Sequence, residues 1–264
     1  MQRRSLIKKA ALAGAAGATA AAEKALPQAA GGLRRSILVT SGEHRLAQLI
    51  ADDLGSDHQV LVTARTPVTT QHRFQQSDLG HEAPMGELVR DIDAIVHVGE
   101  PLPSDDLPAQ IDQQTRCTYN LLLAASQANV RRVVYLSTLE MLTAYDADFL
   151  VDETWAPRPA LTGPSLPKYL GEYTCREFAR VTGLEVTVLR LGTLVDANRI
   201  RGEIDPMWLS EQDAVRAVRL ALNRASGMGV NLSKWSVLHI SSKSPNARFP
   251  IARANRVLGY EPAY

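Results

Sequence analysis

Short apolar runs alternate with stretches of helical periodicity from about residue 36 to the end of the chain. Ser36-Ile37-Leu38-Val39-Thr40 is continuous rather than alternating, as a strand buried on both faces of a parallel sheet requires. Leu46, Leu49, Ile50 and Leu54 then recur at helical spacing and form one apolar stripe. Further strands are predicted at Gln59 to Ala64, His72 to Gln76, Ile92 to Val98, Arg132 to Ser137, Val186 to Leu191 and Val237 to Ile240. The intervening helices carry Leu121, Leu122, Ala124 and Ala125; then Leu166, Leu170 and Tyr173; then Ala214, Val215, Val218, Ala221 and Leu222; and last Ile251, Ala254 and Leu258. Ser210-Glu211-Gln212-Asp213 has capping-box spacing and opens the third of these, while Gly259 stops the fourth. Pro157, Pro159, Gly163 and Pro164 deny any periodicity to residues 139–164, and residues 196–208 read as a polar loop.

Strands and helices alternating in this way imply parallel βαβ units with right-handed crossovers. The predicted fold is therefore α/β: a Rossmann-like, doubly wound parallel sheet of about seven strands. Its ligand crevice lies beyond the carboxyl ends of the strands. Residues 31–264 form one domain with a reduced substrate lobe near residues 192–210.

The first 30 residues are a separate object. Gln2-Arg3-Arg4-Ser5-Leu6-Ile7-Lys8 resembles a twin-arginine export signal, followed by an Ala/Gly run from Ala10 and a small-residue cleavage site at Ala20-Ala21-Ala22. The run is too short and too rich in small residues to span a bilayer, so no membrane partner is expected once the signal is removed. Export to the periplasm is the expectation; a disordered tail, a transit peptide and a cytoplasmic protein are the alternatives. A net charge of +1 gives no reason to expect nucleic acid. Six histidines and two cysteines without ligand spacing give none to expect a metal. Cys117 and Cys175 read as two buried free thiols.

Val133-Val134-Tyr135-Leu136-Ser137-Thr138 is a buried strand ending in hydroxyls, and a helix bearing Lys168 follows it. Together with Ile95-Val96-His97-Val98-Gly99, Thr118-Tyr119-Asn120-Leu121-Leu122, Glu153, Pro157, Pro159, Leu189-Arg190-Leu191 and Leu258-Gly259-Tyr260-Glu261-Pro262, it resembles the NAD(P)-dependent epimerase/dehydratase family, the extended short-chain dehydrogenases. The resemblance covers nearly all of residues 36–262. It implies a cofactor, NADP or NAD, held by Thr40, Ser41, Gly42, His44, Arg65, Asp78, Leu79, Val98, Gly99 and Lys168. It also implies a catalytic tyrosine four residues before the lysine, and this chain has Pro164 there. Of the implied catalytic set only Thr138 and Lys168 remain.

The glycine-rich phosphate loop is also altered, with Ser41, His44 and Ala47 at the three spaced positions and Gly42 displaced by one. Glycine there permits the tight turn, the backbone's approach to pyrophosphate and the packing of helix on strand. His44 and Glu43 therefore weaken dinucleotide binding, although the helix N-terminus still favours an anion. Arg65 stands where NAD-preferring members carry an acid, which suits a 2′-phosphate; a surface arginine is the alternative. No tyrosine in the chain has a lysine four residues on; Tyr145, Tyr169 and Glu153 are the substitutes to consider.

Three functions follow. The first is a dinucleotide-binding homologue lacking standard hydride transfer; the second is an active NADP-dependent oxidoreductase or epimerase on a small carbonyl or sugar with a non-standard acid/base. The third is an interaction module without cofactor. The short lobe favours a small-molecule substrate or none, and a homodimer through the helices that family dimers use is left open.

Overall fold

The computed structural model describes residues 34–80, 83–103, 105–196, 205–224, 234–244 and 247–263. The export-like segment and residues 197–204 of the predicted lobe lie outside the described residues.

Seven parallel strands form the main sheet: β1 Ser36–Val39, β2 Gln59–Ala64, β3 Arg73–Gln76, β4 Ala94–His97, β5 Arg132–Thr138, β6 Glu185–Leu191 and β9 Trp235–Ile240. Their order is β3-β2-β1-β4-β5-β6-β9, so the chain winds outward from β1 in one direction and then returns to build in the other. The reversal falls between β1 and β4, where Val39 faces Val96. A doubly wound sheet opens its crevice at this point.

Period-two alternation explains why the strands read as unbroken apolar runs. Ile37, Val39, Val96, Val134, Leu136 and Leu189 face one core, while Leu38, Ile95, Val133, Tyr135, Val186 and Val188 face the other. The first core is closed by α1 Arg45–Leu54, α6 Glu211–Asn223 and α7 Ala252–Leu258; the second by α4 Thr118–Gln127 and α5 Ser165–Val181. Ser210 caps α6 as predicted, its hydroxyl accepting from Asp213 N at 3.0 Å. Gly259 ends α7 with φ 68°, a left-handed conformation that glycine adopts without Cβ strain.

Two features go beyond the sequence reading. Thr193–Val195 (β7) and Trp208–Ser210 (β8) pair as a small parallel ribbon. Gly192 permits the join, because a Cβ there would lie 2.2 Å from the Met207 carbonyl oxygen. Short helices, α2 Met85–Leu88 and α3 Leu107–Asp112, precede a π-helical stretch over Gln113–Cys117 that leads into α4. Cys117 and Cys175 are free and buried, and burial pushes both thiols up, Cys117 to about 11.

Candidate functional site

The crevice at the carboxyl ends of β5 and β6 has a volume of about 340 Å3. Thr138 and Lys168 both line it, and so does Pro164 at the position four residues before the lysine. Proline holds φ near −82° and caps α5 with its carbonyl, which accepts from Lys168 N at 3.0 Å. Helix geometry is thus kept at this position without a titratable group.

Lys168 is buried, and its ammonium is fully engaged. Nζ donates to Val98 O at 2.7 Å and to Leu136 O at 3.0 Å, and it pairs with Glu100 Oε1 at 2.8 Å. Those contacts use its three donors. Glu100 follows Gly99, whose φ of 59° turns the chain at the end of β4. Gly99 O in turn accepts from Gln114 Nε2.

None of the tyrosines weighed from sequence supplies a phenol to the crevice. Tyr145 donates to Ala156 O at 2.7 Å and stacks edge-on against Trp155. Tyr169 packs with Leu139, Met141 and Phe249. Glu153 accepts from His239 N at 3.1 Å, below β9. The ring of Tyr135 lies 5.8 Å from Lys168 Nζ, yet its hydroxyl points into the protein and donates to Gln114 Oε1 at 2.6 Å. Burial pushes that phenol well above its usual range, so it stays protonated.

Besides Glu211, which is paired with Arg45, sequence reasoning missed two crevice carboxylates. Glu100 is one; Glu140, which lines the same crevice beside Thr138, is the other. Thr138 Oγ1 accepts from Glu140 N at 3.1 Å and so caps the short 3-10 turn Leu139–Leu142. Partial burial, and then the charge of Glu100, push the Glu140 carboxyl up. A carboxylate directly after the family's small-residue turn was the available signal for Glu100.

A groove leads away over β1 and β2. Ser41 adopts φ 58°, the left-handed turn for which glycine is the usual residue. Its hydroxyl accepts from Glu100 N at 3.2 Å. Gly42 packs directly on β2, where a Cβ would meet Val62 Cγ1 at 2.3 Å. His44 is the N-cap residue of α1 without capping it by its side chain, and it lines the crevice. Thr40 is buried and bonds His97 Nδ1 at 2.9 Å and Val98 N at 3.1 Å. Leu79 sits at φ 58° and is buried, while Asp78 accepts from Gly80 N at 2.8 Å.

Side chains occupy the far end of this groove. Arg65 pairs with Asp105, and its backbone N–H donates to Glu43 Oε1 at 3.4 Å. Thr40, Ser41, Glu43, Arg65, Asp78 and Leu79 enclose a cavity of about 10 Å3, room for roughly one water. Yet Glu43 Oε2, Arg65 Nε and Gln113 Oε1 are all buried here without hydrogen-bond partners. Orphaned polar atoms along one groove mark a place built to meet another polar group. The backbone and these donors and acceptors fit a dinucleotide, provided that Arg65 and Glu100 turn aside and Glu43 parts from Arg65 N.

Residues 41–210 match the family described as NAD dependent epimerase/dehydratase. With that match over more than half its length, the chain belongs to this family. A curated relative, L-arabinose 1-dehydrogenase (NAD(P)(+)) from Haloferax volcanii, is 28% identical over 257 residues, covering 86% of this chain and 95% of that protein. Among solved structures, uronate dehydrogenase from Agrobacterium tumefaciens superposes with a TM-score of 0.74 at 20% identity over 88% of this chain and 85% of its own. UDP-N-acetylglucosamine 4-epimerase from Bacillus cereus gives 0.69 at 20% identity over 87% and 94%. These two structures establish the shared fold. Among the described residues no group of side chains could hold a metal, and no helix is long and apolar enough to cross a membrane.

Proposed function

We propose that this chain is a dinucleotide-binding member of its family that has given up the standard hydride-transfer chemistry. One observation carries the reading: Pro164 stands where the family's proton-transferring tyrosine belongs, and the adjoining Lys168 is neutralised by Glu100. A tyrosine titrates near 10 in water and needs a free ammonium beside it to work at neutral pH. Here both halves of that couple are gone. A uronate dehydrogenase variant with one tyrosine replaced by alanine has been solved complexed with NAD.

Glu140 favours a second reading. Its carboxyl, pushed up by burial, shares the crevice with Thr138 and would serve as a non-standard acid/base in an active dehydrogenase, taking the hydroxyl proton as hydride leaves for the oxidised cofactor. The crevice and the short β7–β8 lobe then fit a small sugar of the size of arabinose or a uronate better than a nucleotide sugar. A homodimer would use exposed Tyr119 and Leu123 of α4 and Tyr173 of α5. Export through Arg3-Arg4 belongs to the same proposal and is tested by replacing both with lysine and locating the protein.

The deciding experiment titrates the full-length chain with NADH and NADPH by calorimetry, then follows the appearance of reduced nicotinamide from NAD+ or NADP+ with L-arabinose, glucuronate and galacturonate. Heat of binding without turnover is the expected result. Steady turnover would overturn the first reading, and its loss in Glu140→Gln would establish the second.

A further inference from the structure

The turn between β1 and α1 delivers a carboxylate to the far end of the groove. Glu43 reaches from that turn to the carboxyl end of β2, where Oε1 accepts from Arg65 N at 3.4 Å. Its Oε2 is buried without a hydrogen-bond partner, and the side chain lines the cavity shared with Thr63, Asp78 and Gln113. The strand end itself supplies no acid, since Ala64 and Arg65 follow Thr63. Arg65, whose charge would draw a 2′-phosphate, is already paired with Asp105. Asp105 is fixed in turn, because its Oδ2 also accepts from Leu102 N at 2.8 Å.

A carboxylate accepts strongly from neighbouring hydroxyls, and it repels a phosphate dianion brought to the same place. Arg65 offers no net positive charge to offset that repulsion while Asp105 holds it. We infer that Glu43 is the specificity-determining residue of the groove. When the side chains part, its carboxylate takes the adenosine ribose hydroxyls of an unphosphorylated dinucleotide and rejects the 2′-phosphorylated form. Asp105 reinforces the choice by withholding Arg65. The inference rests on the reading that this groove holds a dinucleotide, and it names which one. It also reverses the cofactor preference that Arg65 implied from sequence.

Calorimetric titration of the full-length wild type, Glu43→Gln and Asp105→Asn with NADH and NADPH tests it. Asparagine at 105 keeps an acceptor for Leu102 N, and thermal melts would verify that each variant is folded. Wild type should bind NADH at least about tenfold more tightly than NADPH, a difference of about 1.4 kcal/mol. Glu43→Gln should shrink that ratio by weakening NADH, and Asp105→Asn should shrink it by strengthening NADPH. A wild type that prefers NADPH, or a ratio untouched by Glu43→Gln, overturns the inference and leaves dinucleotide binding standing. Failure of all three proteins to bind either nucleotide overturns both. Turnover by the wild type would remove the non-catalytic reading alone.

Discussion

Replacing Gly171 by alanine should destabilise the protein, although alanine is the better helix former. Gly171 lies within α5 against β5, and a Cβ there would stand 2.0 Å from Tyr135 Oη and 2.8 Å from Cζ. Tyr135 has nowhere to go: it is fully buried, with its hydroxyl bonded to Gln114 Oε1 at 2.6 Å and to Lys168 O at 3.2 Å. Forcing a methyl into such packing costs about 1–3 kcal/mol. Orphaning the buried hydroxyl or the Gln114 amide costs about 1–3 kcal/mol more. The helical preference for alanine returns about 1 kcal/mol. The net loss is about 3 kcal/mol, or about 6–12 °C in Tm for a domain of this size. Urea unfolding and calorimetric melts of wild type, Gly171→Ala, Tyr135→Phe and the double variant would measure it. Removing the hydroxyl relieves the closest of these contacts, so the double variant should be more stable than the two single losses combined would allow. A neutral or stabilised Gly171→Ala would refute the packing argument.

The buried ion pair of Arg190 Nε and NH2 with Glu172, at 2.9 and 2.8 Å, gives a second expectation. Glu172→Gln leaves an uncompensated guanidinium inside the protein and should cost about 3–5 kcal/mol, while Glu172→Leu with Arg190→Met should cost clearly less; equal losses in urea unfolding would contradict this. Stability should also fall in mild acid. Burial, and secondarily Lys168 for His97 and Arg190 for His239, hold both imidazoles down to about 3. Unfolding lets each bind a proton near pH 6.5, so stability is full above about 6.5 and declines as pH falls towards 3. The decline is about 1.4 kcal/mol per pH unit per histidine. His239→Asn should flatten the slope measured between about pH 6 and pH 4, and an unchanged slope would mean that His239 is not held neutral.

Much of the framework was legible in the residue order, because strand burial, helix stripes and caps are local properties. The apolar run at Ser36–Val39, the capping serine at Ser210 and the stop at Gly259 each depend on neighbours a few residues away. The proline one helical turn before Lys168 was equally legible, since that is a matter of spacing alone. The destinations of long side chains were not. Lys168 meets Glu100, Arg65 meets Asp105 and Glu43 meets the end of β2 only after the sheet has brought distant segments together. A charged side chain's partner is set by which loop the crossovers place beside it, and no local period encodes that. Hence the sequence by itself determined a doubly wound sheet with a proline one turn before its lysine, and tertiary contact alone decided that the lysine, the arginine and the groove meet the protein's own carboxylates.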